Sequence, residues 1–241
     1  MGGSGGAPHL PPGGTTGTAG TTGMGGTTGM GGTGPAPDPR CAPVDGIVSW
    51  WHGDGDYDDA VGANDGTTGG AASFGAGIDN QAFSLSGDPG AFVEVPHDAS
   101  MMLTGAVTMD AWIMQTEFGG RIIDKANANG RDGYMMDVAG DHLRLFVSGA
   151  QAVSPGSLPA GIFTHVAAVF DGTHLGVYIN GVLAAEEGGG PMDPNTVPLH
   201  IGADSNGASR FKGSIDEPRL FGRALTADEI TLLYWQGLNC H

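Results

Sequence analysis

Residues 163–185 read FTHVAAVFDGTHLGVYINGVLAA, three apolar runs of strand length parted by two tight-turn signals, Asp171-Gly172 and Asn180-Gly181. An Asn-Gly pair between β-branched residues predicts a type I′ hairpin, because both central residues of that turn need positive φ. In the first run Val166, Ala168 and Phe170 alternate with Ala167 and Val169, so both strand faces are apolar. Such a strand must be covered on both sides, which predicts a central place in a packed sheet.

Shorter strand signals surround this meander. Runs at 45–51, 66–72, 81–85, 91–95, 107–115, 121–125, 134–138, 143–147, 198–202 and 211–221 alternate or concentrate apolar residues between Gly-, Asn- and Asp-rich turns. Short strands at close spacing predict an all-β, antiparallel two-sheet sandwich. One helix is predicted, at the end. Thr226-Ala-Asp-Glu229 forms a capping box, and Ile230, Leu233 and Tyr234 follow on one face. A helix so short must dock on the sandwich to persist.

Residues 1–40 are different material. Gly, Thr and Pro dominate, and TTGMGG at 21–26 recurs letter for letter at 27–32. Such a segment buries too little apolar area to offset the entropy of ordering, so a disordered linker is expected over 1–40 and a single domain over 41–241. The net charge is −17. Asp38 and Arg40 cancel within the linker, so the whole charge belongs to the domain. A surface this acidic repels nucleic acid and anionic membranes. No run approaches the roughly 20 apolar residues of a membrane span, so no membrane insertion is expected of this chain. Met1 is followed by Gly-rich sequence rather than an apolar signal segment. Export is therefore expected to rest on sequence upstream of this chain.

Three stretches carry a family resemblance. The first is Trp50-Trp51 with Asp59, Gly62 and Asn64-Asp65-Gly66. The second is Val107-Thr-Met-Asp-Ala-Trp-Ile113 followed by the meander. The third runs from Phe211 through Asp216-Glu217-Pro218-Arg219 and Arg223-Ala-Leu-Thr to Ile230, closed by Leu233-Tyr234. In this order they resemble the laminin G-like, concanavalin A-like jelly-roll family in its secreted prokaryotic form, over about residues 45–235. The resemblance implies two curved antiparallel sheets with a concave face that holds ligand in relatives. It also implies termini lying side by side, and hence a disulfide between Cys41 and Cys240. The family usually has a β-branched residue where this chain has Pro218. Lacking an amide donor, Pro218 predicts an edge strand or a bulge there.

Relatives of this fold include glycosidases, whose retaining members place two carboxyl groups about 5 Å apart. Their Glu-x-Asp-x-x-Glu string is missing here. Glu186-Glu187 and Asp216-Glu217 are adjacent, hence on opposite faces of a regular strand. Asp54, Asp56 and Asp58 alternate, but in a Gly-rich loop without apolar neighbours to raise a pKa. Asp54-x-Asp56-x-Asp58 also opens like an EF-hand, yet Asp59 stands where that loop needs Gly. His165 has no Ser or Cys nucleophile motif beside it, which makes it a structural histidine. Trp50, Trp51 and Trp112 either stack sugars or fill the core. The expected function is a non-catalytic, extracytoplasmic binding or adhesion module. Its partner is a glycan by family resemblance, with a structural or protein-interaction role at the cell surface, or a divergent glycosidase, as the alternatives. One structural Ca²⁺ is implied where the first and last strands meet. Asp216 matches the relatives' C-terminal ligand. Asp54 or Asp59 supplies the second carboxylate, Asn64 a further oxygen, and Gly87 a carbonyl. The alternative is that Asp216 only accepts turn amides.

Overall fold

The computed structural model describes residues 38–128 and 130–240. The linker reading of 1–37 lies outside the described residues. In chain order the strands are β1 (Ile47–Trp50), β2 (Thr67–Thr68), β3 (Ala72–Ala76), β4 (Gln81–Leu85), β5 (Val93–Val95), β6 (Val107–Gln115), β7 (Gly120–Lys125) and β8 (Tyr134–Ala139). They continue with β9 (His142–Val147), β10 (Ala150–Ser157), β11 (Thr164–Phe170), β12 (His174–Ile179), β13 (Val182–Gly188), β14 (Leu199–Ile201) and β15 (Gly213–Phe221), and helix α1 (Ala227–Asn239) ends the fold. Among the described residues these make two antiparallel sheets. The first runs β13-β12-β11-β6-β15-β4-β3, with β1 also paired to β15; the second runs β10-β9-β8-β7-β14-β5-β2. This is the predicted jelly-roll sandwich.

The central meander explains the packing. All seven residues of β11 are buried, between β12 and β6. Val166, Ala168 and Phe170 enter the core between the sheets with Val107, Met109, Leu145 and Leu220. Ala167 and Val169 point outward, where Ile230 and Leu233 of α1 cover them. Each fully buried Val, Ile, Leu, Met or Phe side chain among these stabilises by about 1.5–3 kcal/mol. The Asn180-Gly181 turn has φ of 50° and 78°, the two positive values that type I′ requires. The capping box forms as predicted: Thr226 accepts the Glu229 amide, and Glu229 accepts the Thr226 amide at 2.8 Å. On α1 the buried face is Ile230, Leu233 and Gln236, with Tyr234 at its margin.

Pro218 sits in a bulge. Pairing of β15 with β6 shifts register between Asp216 and Arg219, Glu217 has φ of 53°, and the Pro218 carbonyl accepts the Trp51 amide at 3.1 Å. The edge-strand alternative is excluded, since β15 lies inside its sheet. β10 was missing from the sequence reading because Pro155 interrupts it. It forms as the edge of the second sheet, with its register shifted across Pro155, where a missing amide costs little. The weak signal at 66–72 resolves into two separate strands, β2 and β3, one in each sheet. Cys41 and Cys240 are disulfide-bonded, with Cα atoms 5.5 Å apart. Residues 38–40, assigned to the linker from sequence, pack with the domain. A 3₁₀ turn covers Pro39–Cys41, and the Gln236 side chain donates to the Arg40 and Ala42 carbonyls at 2.5 and 2.9 Å.

Candidate functional site

Two places concentrate oriented polar groups. The first is the corner where β15 meets the turn before β4. Asp216 is fully buried. Its Oδ2 accepts the amides of Ile78 at 2.6 Å and Asp79 at 3.3 Å, while its Oδ1 has no hydrogen-bond partner. Oxygens crowd the open face of Gly77. A Cβ there would lie 2.4 Å from Asp216 Oδ2 and 2.6 Å from each of the Asp79 and Gln81 carbonyls. Asp54 braces the same turn through the Gln81 amide at 2.8 Å and Asn80 Nδ2 at 3.3 Å. Burial, helped by the charges of Glu217 and Asp54, pushes the Asp216 carboxyl up to about 7. A buried carboxylate with its Oδ1 unpartnered, and its Oδ2 facing the same Gly77 space as two carbonyls, is the kind of donor set that a hard cation seeks, with oxygens at about 2.3–2.6 Å. The residues present therefore fit calcium.

The other expected ligands go elsewhere. Asp59 accepts the amides of Trp50 at 3.0 Å, Val61 at 3.2 Å and Asn64 at 3.2 Å. Asn64 donates to Ser49 and Ser100, and its carbonyl holds the Trp51 indole at 2.8 Å. The Gly87 carbonyl accepts Arg210 Nε at 2.7 Å. Of the five residues named from sequence, the fold thus brings Asp54 and Asp216 to one turn and gives Asp59, Asn64 and Gly87 structural partners. Gly77, Asp79 and Gln81 were missed. Their signal was the turn sequence Gly77-Ile-Asp-Asn80 leading into β4, which nothing local ties to Asp216. Among the described residues no three His, Cys, Asp or Glu side chains converge as a metal-binding group, so a cation here would depend on carbonyls.

Asp110, Arg219 and His165 form a buried cluster under α1. Arg219 reaches Asp110 through Nε at 3.1 Å and Nη2 at 2.6 Å, and His165 Nε2 lies 3.2 Å from Asp110 Oδ2. Burial pushes the Asp110 carboxyl up, but the Arg219 charge and the His165 bond outweigh it and hold it below the usual range. Burial, opposed by Asp110, keeps the His165 imidazole below its ordinary value and hence neutral. Fully buried, it is placed as a structural group.

The second place is the outer face of the second sheet. The first sheet's outer face is sealed in part by α1. The second sheet points Tyr134, Met136, Val138, Leu143 and Leu145 into the core, so Met135, Asp137, Arg144 and Phe146 point out. Register sets Met135 opposite Phe146 and Asp137 opposite Arg144 on one side and Arg121 on the other. Arg144 grips Asp137 with two bonds, of 2.9 and 2.6 Å, and Arg121 Nη1 closes on the same carboxylate. Arg121 Nε lies 3.0 Å from Asp124 Oδ2. Burial pushes Asp124 up to about 7, although the Ala126 amide and Arg121 oppose it, and Asp204 and Asp137 add to the rise. Farther along, His200 bridges Glu94 at 3.1 Å and the Asp204 carbonyl at 2.6 Å, with Phe92 against its ring. Trp51 and Trp112 are buried, whereas Trp50 is half-exposed near Glu217.

The profile of the concanavalin A-like lectin/glucanases superfamily, in its Laminin_G_3 form, matches residues 86–231. No curated protein matches the chain. Similar solved structures include domain 4 of AbnA, an extracellular GH43 arabinanase from Geobacillus stearothermophilus, in complex with arabinotriose. It shares 20% identity at a TM-score of 0.64, over 78% of this chain and 98% of that one. The binding domain of Paraclostridial Mosquitocidal Protein 1 is similar at 14% identity and a TM-score of 0.65, over 79% of this chain and 52% of that one. The binding domain of botulinum neurotoxin serotype G gives 15% and 0.60, over 78% and 50%. The chain thus spans about half the length of the toxin domains it matches. Profile and fold agree, and the chain belongs to the concanavalin A-like lectin/glucanases superfamily.

Proposed function

We propose that this domain is a non-catalytic carbohydrate-binding module working outside the cytoplasm, with a structural Ca²⁺ at the Asp216 corner. One observation carries the reading: the outer face of the second sheet presents guanidinium groups locked by Asp137 beside the half-buried Phe146 ring. Fixed donors meet sugar hydroxyls, and an aromatic side chain meets the C–H face of a ring. The arabinotriose-bound neighbour supports the ligand class, and the disulfide supports an oxidising compartment. The non-catalytic reading rests on the same face. Asp137 is committed to two arginines, and Asp124 is 1% exposed. The test is a glycan array in millimolar Ca²⁺, with arabinotriose as the first calorimetric probe. Binding that falls at least tenfold in Arg144→Ala and Phe146→Ala supports the reading. A blank array favours the second reading, a protein-interaction domain of a cell-surface protein, which the toxin binding domains among its structural neighbours support.

A further inference from the structure

Lys125 ends β7, and it is only 1% exposed. A lysine is almost never buried so completely unless a carboxylate pairs with it, because a desolvated ammonium is costly. Here the Nζ hydrogen bonds go to neutral oxygens instead. They are the Val197 carbonyl at 2.7 Å, Asn195 Oδ1 at 3.1 Å and the Asn195 carbonyl at 3.4 Å. Met101, Leu103, Tyr134 and Pro194 line the same pocket, and the Tyr134 hydroxyl is committed to the Met101 carbonyl at 2.8 Å. Burial pushes the Lys125 amine down to about 8, against the opposing charge of Asp132. An appreciable share of free amine, the nucleophilic form, therefore exists near neutral pH. The electrophile beside it is Asn195 Cγ, one bond beyond the oxygen that Nζ touches. This amide is oriented from both ends. Its Oδ1 accepts from Nζ and from the Val197 amide at 3.3 Å, and its Nδ2 donates to the Lys125 carbonyl at 2.8 Å and to Asp132 Oδ1 at 3.3 Å. Asp132 is held in turn by the Asn127 amide at 2.9 Å. Gly133, at φ 66°, leaves the room, since a Cβ there would lie 2.4 Å from Asn195 Nδ2.

A positioned amine, an amide carbon and a carboxylate at the leaving nitrogen are the parts that amide exchange needs. The Val197 amide faces the oxygen on which charge would develop. We propose that Lys125 and Asn195 condense within the folded chain into an isopeptide cross-link, with Asp132 carrying the proton. The Nζ lone pair adds to Cγ, and the carbonyl electrons move onto Oδ1. Asp132 takes a proton from Nζ and delivers it to Nδ2. The carbonyl then re-forms, the Cγ–Nδ2 bond breaks, and Nδ2 departs as ammonia. One C–N bond forms and one breaks, nothing is oxidised or reduced, and no co-reactant is needed. The product ties the end of β7 to the segment leading into β14, 70 residues along the chain. Unlike the Cys41–Cys240 bond, it would persist under reducing conditions. It uses none of the residues of the sheet face or of the Asp216 corner.

The experiment is intact-mass spectrometry of the reduced full chain after folding and prolonged incubation, followed by peptide mapping. The expected mass lies below that of the sequence by about 17 Da, one ammonia. The map should contain a branched peptide joining Lys125 to Asn195. Lys125→Met removes the amine and Asn195→Ala the amide, so each should return the full mass and lose the branched peptide. Asp132→Asn keeps an acceptor for the Asn127 amide but carries no proton. It should leave the chain uncrosslinked with its native circular dichroism intact. Should Lys125→Met or Asn195→Ala not fold, the wild-type mass and its branched peptide decide alone. A wild-type chain that keeps its full mass overturns the proposal, and Lys125 is then only a pin for residues 195–197. A deficit that maps to a succinimide at an Asn-Gly pair such as Asn206-Gly207 overturns it as well. Cross-linking at the wild-type extent in Asp132→Asn overturns the proton route.

Discussion

Asp216→Asn is the sharpest perturbation of the corner between β15 and the turn before β4. The wild-type carboxyl is buried and raised from 3.8 to about 7. An acid raised in the fold holds its proton more tightly there than in the unfolded chain. Metal-free stability is therefore full below the unfolded value and falls as pH rises toward the folded one. At 1.36 kcal/mol per pH unit the ionised group costs the metal-free fold about 4 kcal/mol at neutral pH. About 2 kcal/mol of that is lost between pH 5 and 7, or roughly 4–8 °C in Tm for a domain of this size. Asp124, also raised to about 7, adds a slope of the same sign, so Asp216→Asn should halve the pH effect rather than remove it. Calcium should reverse the penalty in the wild type, by about 2.7 kcal/mol at a hundredfold excess over Kd, and should do nothing for Asp216→Asn. The assay is thermal unfolding at pH 5 and 7, in EGTA and in millimolar Ca²⁺. Wild-type melts that superimpose with and without calcium would refute the cation site. A full calcium shift retained in Asp216→Asn would place the site elsewhere.

Three other outcomes are expected. Opening the Cys41–Cys240 disulfide, which spans 199 residues, should cost up to about 5 kcal/mol in the chain-entropy description; free thiols in unfolded, unreduced protein would sink both the bond and the export reading. Asp110→Asn leaves the Arg219 charge buried and unpaired, so urea denaturation should report a loss of about 3–5 kcal/mol; a loss under 1 kcal/mol would mean the pair is not intact. The purified domain should release no reducing ends from laminarin, agar or xylan. Turnover abolished by Asp124→Asn, or by changing Asp54, Asp56 or Asp58 to Ala, would overturn the non-catalytic reading.

Much of the fold was legible because its signals are local. Two adjacent residues, Asn180-Gly181, specify a turn, and four, Thr226 to Glu229, specify a helix start. The apolar alternation of Val166–Phe170 is a property of consecutive side chains, and so is its need for cover on both faces. Pro218, lacking one hydrogen, announced an edge strand or a bulge, and strand order chose the bulge. The fate of each carboxylate was not legible in this way. Asp54 and Asp59 stand five residues apart in the same acidic loop, yet one braces the turn beside Asp216 and the other serves the Trp50, Val61 and Asn64 amides. Asp216 meets the Ile78 amide 138 residues away only because β15 pairs with β4 in one register. The outer face of the second sheet gathers side chains from five strands that are scattered between residues 93 and 201. What the sequence alone determined is strands, turns, the helix cap and the family. Which oxygens, guanidinium groups and rings share a site was decided by strand order and register, because those contacts join residues whose order along the chain carries no trace of their nearness in space.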